Sequence, residues 1–285
     1  MEVKKVGIVG FTGVMGSGIT QLCAQSGCDV IGFSRHSEKA AKTIKLIDGF
    51  LSRAVEKEKI TPGQKEATLS RIQVSDKLED MSDCDFIIET ATENMELKRE
   101  IFKQLDRICP PHAILSTNTS SLSIIDMAMA TGRPEKVLGM HFFNPAPLMK
   151  LLEIVRTIAT GDEAVEKARA FGQQLGKTIV IATDSPGYIV NTLMVPYLLN
   201  AVRMMDRGIA TKEDIDAAIT LGLNYPMGPL AVCDFIGLDS LLFVANVMYD
   251  ESKDPQYAPP PLLRKMVTAG WLGRKSGKGF YEYQS

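Results

Sequence analysis

Short apolar runs alternate with amphipathic helical stretches through the first half of the chain, and no other feature constrains the fold as tightly. Val6–Gly10, Asp29–Phe33, Asp85–Glu89, Ala113–Ser116 and Val137–His141 read as strands. Met15–Gly27, Ser37–Lys59, Met95–Cys109 and Leu122–Ala130 read as the helices between them. Strands separated by helices pair in parallel through right-handed crossovers. Lys177–Ala182 is a further strand candidate, and Asp184-Ser-Pro-Gly187 then breaks the pattern. Beyond it the chain reads as helices only: Tyr188–Arg207, Lys212–Leu221, Pro229–Ile236, Leu238–Glu251 and Pro261–Ala269, with Thr211 and Asp214 fitting a helix N-cap. The glycine-rich, basic tail Gly270–Tyr281 reads as a structured loop.

The turn after the first strand sharpens this reading. Gly10-Phe-Thr-Gly-Val-Met-Gly16 opens a helix, and its glycines let the backbone approach a pyrophosphate at the helix N-terminus. The spacing is one residue longer than the usual dinucleotide fingerprint. The expected fold is therefore α/β: a Rossmann-like, mostly parallel sheet domain over residues 1–184 that binds a dinucleotide, followed by an all-helical domain over residues 185–285. The candidate cofactor residues in the loop are Gly10, Thr12, Gly13, Val14, Met15 and Gly16.

Composition excludes several alternatives. With 285 residues the chain can form two ordinary domains, and a net charge of -2 gives no electrostatic case for nucleic acid or an anionic membrane. No apolar run reaches the length of a membrane span, and Lys4 and Lys5 lead straight into a strand rather than a signal peptide. The five cysteines are odd in number and scattered, which suits reduced thiols and a cytoplasmic location. Only three histidines are present, so no metal site is expected.

One histidine has a partner in view. Gly139–Val155 reads as two apolar strands joined by a proline-punctuated reversal. Folding back near Pro147 brings His141 beside Glu153, which makes a general base held in one tautomer. The alternative is a hairpin with a core histidine and an incidental acid. At the end of the second strand, Ser34 and Arg35 stand where an NAD site carries an acid. A hydroxyl and a guanidinium favour a 2′-phosphate, so NADP(H) is expected over NAD(H), with a solvated arginine and less selective NAD(H) binding as the alternative.

Several segments together resemble the short-chain L-3-hydroxyacyl-CoA dehydrogenases. They are Met15–Gly18, Ser116–Ser123, Gly139–Pro147, Asp184–Asn191, Pro226–Pro229 and Gly270–Tyr281, and the likeness covers nearly the whole chain. The resemblance implies a catalytic set of His141, Glu153, Ser120 and Asn191, with Ser120 and Asn191 also binding substrate. It implies further cofactor contacts at Glu93, Lys98, Asn118, Asn144 and Lys275. It also implies interconversion of a short (S)-3-hydroxyacyl-CoA with its 3-ketoacyl-CoA, and a homodimer formed through the helical domain. Asn191 would bring the second domain to the site. A dehydrogenase acting on a free hydroxyacid and a non-catalytic cofactor-binding protein remain the rivals.

Overall fold

A computed structural model describes residues 2–283. The chain divides into two compact units after Asp184. The first unit runs β1 (Lys5–Val9), α1 (Val14–Gln25), β2 (Asp29–Phe33), α2 (Ser37–Glu56), α3 (Pro62–Ser70), β3 (Ile72–Ser75), β4 (Phe86–Glu89), α4 (Met95–Ile108), β5 (Ile114–Thr117), α5 (Ile124–Ala128), β6 (Val137–Phe142), β7 (Leu151–Arg156), α6 (Asp162–Gln174) and β8 (Thr178–Thr183). Its strands form one sheet in the order β3-β2-β1-β4-β5-β6-β7-β8. Every neighbouring pair is parallel except β6 with β7. The expected α/β architecture is thus observed. The chain winds outward from β1 in both directions, so the order reverses between β1 and β4. That reversal opens a crevice at the carboxyl ends of the strands, where ligands of such sheets bind.

Central strands are buried on both faces, which explains their unbroken apolar runs. Val6, Ile8, Phe86 and Ile88 pack with Ile19, Leu22 and Phe171 from the flanking helices. Three elements escape the pattern read from sequence. The strand β3 has two exposed residues among its four, too short and too polar to signal itself. The helix α3 is announced only by a capping box, in which Thr61 and Gln64 each bond the other's backbone N–H. The buried face of α6 is built from Ala164, Val165, Ala168, Phe171 and Gly172, small residues that dilute the apolar periodicity.

The second unit is helical: α7 (Val190–Asp206), α8 (Lys212–Gly222), α9 (Pro229–Ile236), α10 (Leu238–Ser252) and α11 (Pro261–Thr268). Val195, Leu198, Leu199, Leu230, Leu241 and Met248 form its core. Two buried acids organise it. Asp216 accepts the backbone N–H groups of Leu230 and Ala231 at 2.8 and 2.9 Å, capping α9, and also accepts the Tyr281 hydroxyl at 3.0 Å. Asp234 accepts the N–H groups of Phe280 and Tyr281, each at 2.9 Å, and the Tyr283 hydroxyl at 3.0 Å. A side chain at Gly279 would collide with Asp234, so glycine is required there. The tail is a loop, as its composition suggested, anchored by carboxylates. No single described helix is long and apolar enough to cross a membrane.

All five cysteines are buried and free. Burial pushes the thiols of Cys28 and Cys109 up to about 11 and that of Cys84 up to about 12, and raises those of Cys23 and Cys233 as well. The thiolate is the nucleophile, so none should react with iodoacetamide at pH 8 until the protein is denatured. Intact-mass counting of adducts with and without guanidinium checks this. The same shifts set a stability trend. An acid whose folded pKa is raised ionises first in the unfolded chain, so the unfolded state releases protons first as pH rises. The melting temperature is therefore expected to fall steadily from about pH 8.5, the ordinary thiol value, toward pH 11. Thermal scans across that range test the direction.

Candidate active site

The one antiparallel pair in the sheet sets the geometry. The register places His141 on β6 directly opposite Glu153 on β7. Directly opposed residues share a face, so the two side chains meet. His141 Nδ1 lies 2.6 Å from Glu153 Oε2, and both side chains are buried. A carboxylate accepts and cannot donate, so the ring proton sits on Nδ1 and the Nε2 lone pair faces the other way. On that side is Ser120, whose Oγ lies 3.1 Å from His141 Nε2. Acid, imidazole and hydroxyl thus form one line. The arrangement can accept a proton at Nε2, hold the resulting charge against Glu153, and present a hydroxyl donor beside the reacting atom.

Surrounding contacts fix these three groups. Asn118 Oδ1 accepts the N–H of Phe142 at 2.8 Å, which ties the end of β5 to β6. Glu93 accepts the Ser120 N–H at 3.2 Å and the Thr119 hydroxyl at 3.0 Å. The reversal between β6 and β7 carries a cis Asn144–Pro145 bond and an exposed Asn144. Lys177 holds this reversal from within, donating to the carbonyls of Ala146 at 2.6 Å and Met149 at 2.8 Å. Burial lowers the pKa of that ammonium.

The glycine loop fits a dinucleotide. Gly10 has φ +86°, and a Cβ there would lie 2.6 Å from the Thr90 carbonyl carbon. A Cβ at Gly16 would collide with the Gly10 carbonyl oxygen. Gly13, the N-cap of α1, has no side-chain cap, which leaves the first-turn amides for an anion. Thr12 is partly buried, Val14 is exposed and Met15 packs against the core. The additional loop residue is accommodated inward: Phe11 is fully buried and lies over Gly32 of β2, where a Cβ would come within 2.7 Å of its ring.

Other residues named from the sequence fall in distinct places. The Ser34 hydroxyl donates to the His36 carbonyl at 3.2 Å and also accepts the His36 N–H, so it closes a turn. Arg35 is exposed, with its guanidinium 5.8 Å from the Phe33 ring centre. Lys98 is not a surface residue but is 1% exposed, and its Nζ lies 2.8 Å from both carboxylate oxygens of Glu89. In the second unit, Asn191 is buried in the first turn of α7, and Lys275 Nζ bonds Asp239 at 2.6 Å. Glu89, Thr117 and Lys177 were not singled out from the sequence. An acid closing the apolar run Phe86-Ile-Ile-Glu89 was the available signal. No group of three or more His, Cys, Asp or Glu side chains is placed to hold a metal among the described residues.

Known proteins carry the same two-part plan. Residues 5–185 match the family model of the 3-hydroxyacyl-CoA dehydrogenase NAD binding domain, and residues 187–283 match that of the C-terminal domain. The chain belongs to the 3-hydroxyacyl-CoA dehydrogenase family. It is an oxidoreductase family with a nicotinamide-binding domain. A probable 3-hydroxybutyryl-CoA dehydrogenase of Bacillus subtilis is 45% identical, with 100% of this chain and 99% of the relative covered. The crystal structure of M. tuberculosis FadB2 is 44% identical with a TM-score of 0.97, covering 100% of both chains. That of (S)-3-hydroxybutyryl-CoA dehydrogenase PaaH1 from Ralstonia eutropha is 42% identical with a TM-score of 0.95, covering 99% of this chain and 100% of that one.

Proposed function

We propose that this family member interconverts (S)-3-hydroxybutyryl-CoA and acetoacetyl-CoA in the cytoplasm, with NADP(H) preferred over NAD(H). The observation that carries the chemistry is the line Glu153–His141–Ser120. The names of the relatives supply the substrate class. In oxidation, His141 Nε2 takes the proton of the substrate 3-hydroxyl, while Glu153 holds Nδ1–H and stabilises the imidazolium. In reduction, the imidazolium returns that proton to the forming alkoxide. The Ser120 hydroxyl donates to the C3 oxygen as charge builds on it. The resemblance assigns a second such donor to Asn191, which Asn191→Ala tests separately. A bound nicotinamide would accept hydride in one direction and deliver it in the other. For that cofactor, Gly10, Gly13 and Gly16 supply the close backbone approach, with Asn118, Glu93 and Asn144 as further candidates. Lys98 acts from beneath the loops, through Glu89 and Glu93. A homodimer through the helical unit belongs to the same proposal; exposed Leu193, Phe235 and Phe243 offer it apolar surface.

Acetoacetyl-CoA reduction followed with NADPH and NADH in parallel tests the proposal. Turnover of acetoacetate without CoA would instead favour the free-hydroxyacid reading. Cofactor choice rests on Arg35, because Ser34 is engaged in its own turn. A charge-assisted bond from an exposed guanidinium to a 2′-phosphate predicts that Arg35→Asp shifts the NADPH-to-NADH ratio of kcat/KM by about 10- to 100-fold toward NADH. An unchanged ratio would remove Arg35 from cofactor selection.

A further inference from the structure

We infer that Glu89, with Thr117 and Lys98, is a positioning unit for the active-site hydroxyl, acting on Ser120 through Glu93; the inference rests on the proposed role of Ser120. Glu89 ends β4 and is 0% exposed. Both of its oxygens are engaged. Lys98 Nζ bonds each at 2.8 Å, the Ala91 N–H donates to Oε1 at 2.5 Å, and the Thr117 hydroxyl donates to Oε2 at 2.7 Å. The main chain of Glu89 also takes part, its carbonyl accepting the Asn118 N–H at 2.8 Å. One carboxylate therefore gathers the turn after β4, the second turn of α4 and the end of β5.

The unit reaches the reacting groups by a short path. Lys98 Nζ donates to the Ala91 carbonyl at 3.2 Å and lies 3.5 Å from Glu93 Oε2. Glu93 holds the Thr119 hydroxyl and the Ser120 N–H, and Ser120 Oγ faces His141 Nε2. From the other end, the Thr117 hydroxyl accepts the Thr119 N–H at 3.2 Å. The loop Asn118–Ser120 is thus held at both ends by groups that bond Glu89 or its partner lysine. A buried ion pair gives little net stability, because desolvation offsets the attraction. What it supplies is direction: four bonds from three groups converge on two oxygens and fix where the loop emerges. An apolar plug of the same volume could fill the space but could not place Ser120.

The test is a double-mutant cycle on the full chain. Wild-type turnover and its loss in Ser120→Ala examine the proposed function by themselves. If Glu89 acts through Ser120, Glu89→Gln lowers kcat by about tenfold in the wild-type background but by less than about twofold in Ser120→Ala, with KM for both substrates held within about twofold. Equal losses in the two backgrounds, or a loss confined to KM, would overturn the inference. Thr117 guards against misfolding of Glu89→Gln. Thr117→Val should show the same non-additivity while still unfolding in one cooperative thermal transition, and Thr117→Ser, which keeps the hydroxyl, should restore kcat. Normal turnover in Thr117→Val would count against the unit.

Discussion

Replacing His141 with alanine is expected to lower kcat for acetoacetyl-CoA reduction by on the order of 10²- to 10⁴-fold, with KM for the nucleotide little changed. The size follows from what is removed. No other imidazole can substitute, because His36 and His112 are both exposed on other parts of the sheet unit. The neighbouring acid cannot take over, because Glu153 is fully buried behind the ring on β7. Water admitted to the vacated space would be a poor proton donor to the forming alkoxide, and the rate that survives would come from orientation alone. Steady-state kinetics on the variant, with nucleotide binding followed by fluorescence, make the comparison. Near-normal turnover would reject the assignment of the base.

Glu153→Gln is expected to cost about 10²- to 10⁴-fold in kcat without unfolding the protein. The amide has nearly the same shape, so packing between β6 and β7 is kept. The charge that offsets the imidazolium is lost, and an amide NH2 turned toward Nδ1 would force the ring proton onto Nε2, the wrong nitrogen for a base. Removing a buried charge while leaving a neutral ring beside it carries little stability cost. A melting temperature within a few degrees of wild type, together with the large fall in kcat, would separate this role from a structural one. A fall in both together would point to a merely structural pair.

The parts of this fold legible from sequence are those with strong periodicity. The strands β1, β2, β4, β5 and β6 were visible as apolar runs, and the meeting of His141 with Glu153 followed from one proline-marked reversal. What escaped lacked that contrast: β3 is short and half exposed, and α6 buries small residues. At the site, pattern led to the pairing of His141 with Glu153 because they lie on adjoining strands. It did not lead to Glu89, whose partners Lys98 and Thr117 are 9 and 28 residues away on separate elements. Nor did it reveal Lys177, which reaches the β6–β7 reversal from 28 to 31 residues downstream. Long-range contacts by single polar side chains leave no repeating signature, so only coordinates display them.

The reversed strand has a practical corollary for anyone re-engineering this enzyme. His141 and Glu153 ride on a shared ladder of main-chain bonds, so their spacing is indifferent to changes in the glycine loop but intolerant of any shift in strand alignment. Deleting Leu152, just ahead of Glu153 in the strand, would turn Glu153 to the opposite side of the sheet and abolish its contact with His141, whereas residues added at exposed Leu148 in the reversal would leave the alignment intact.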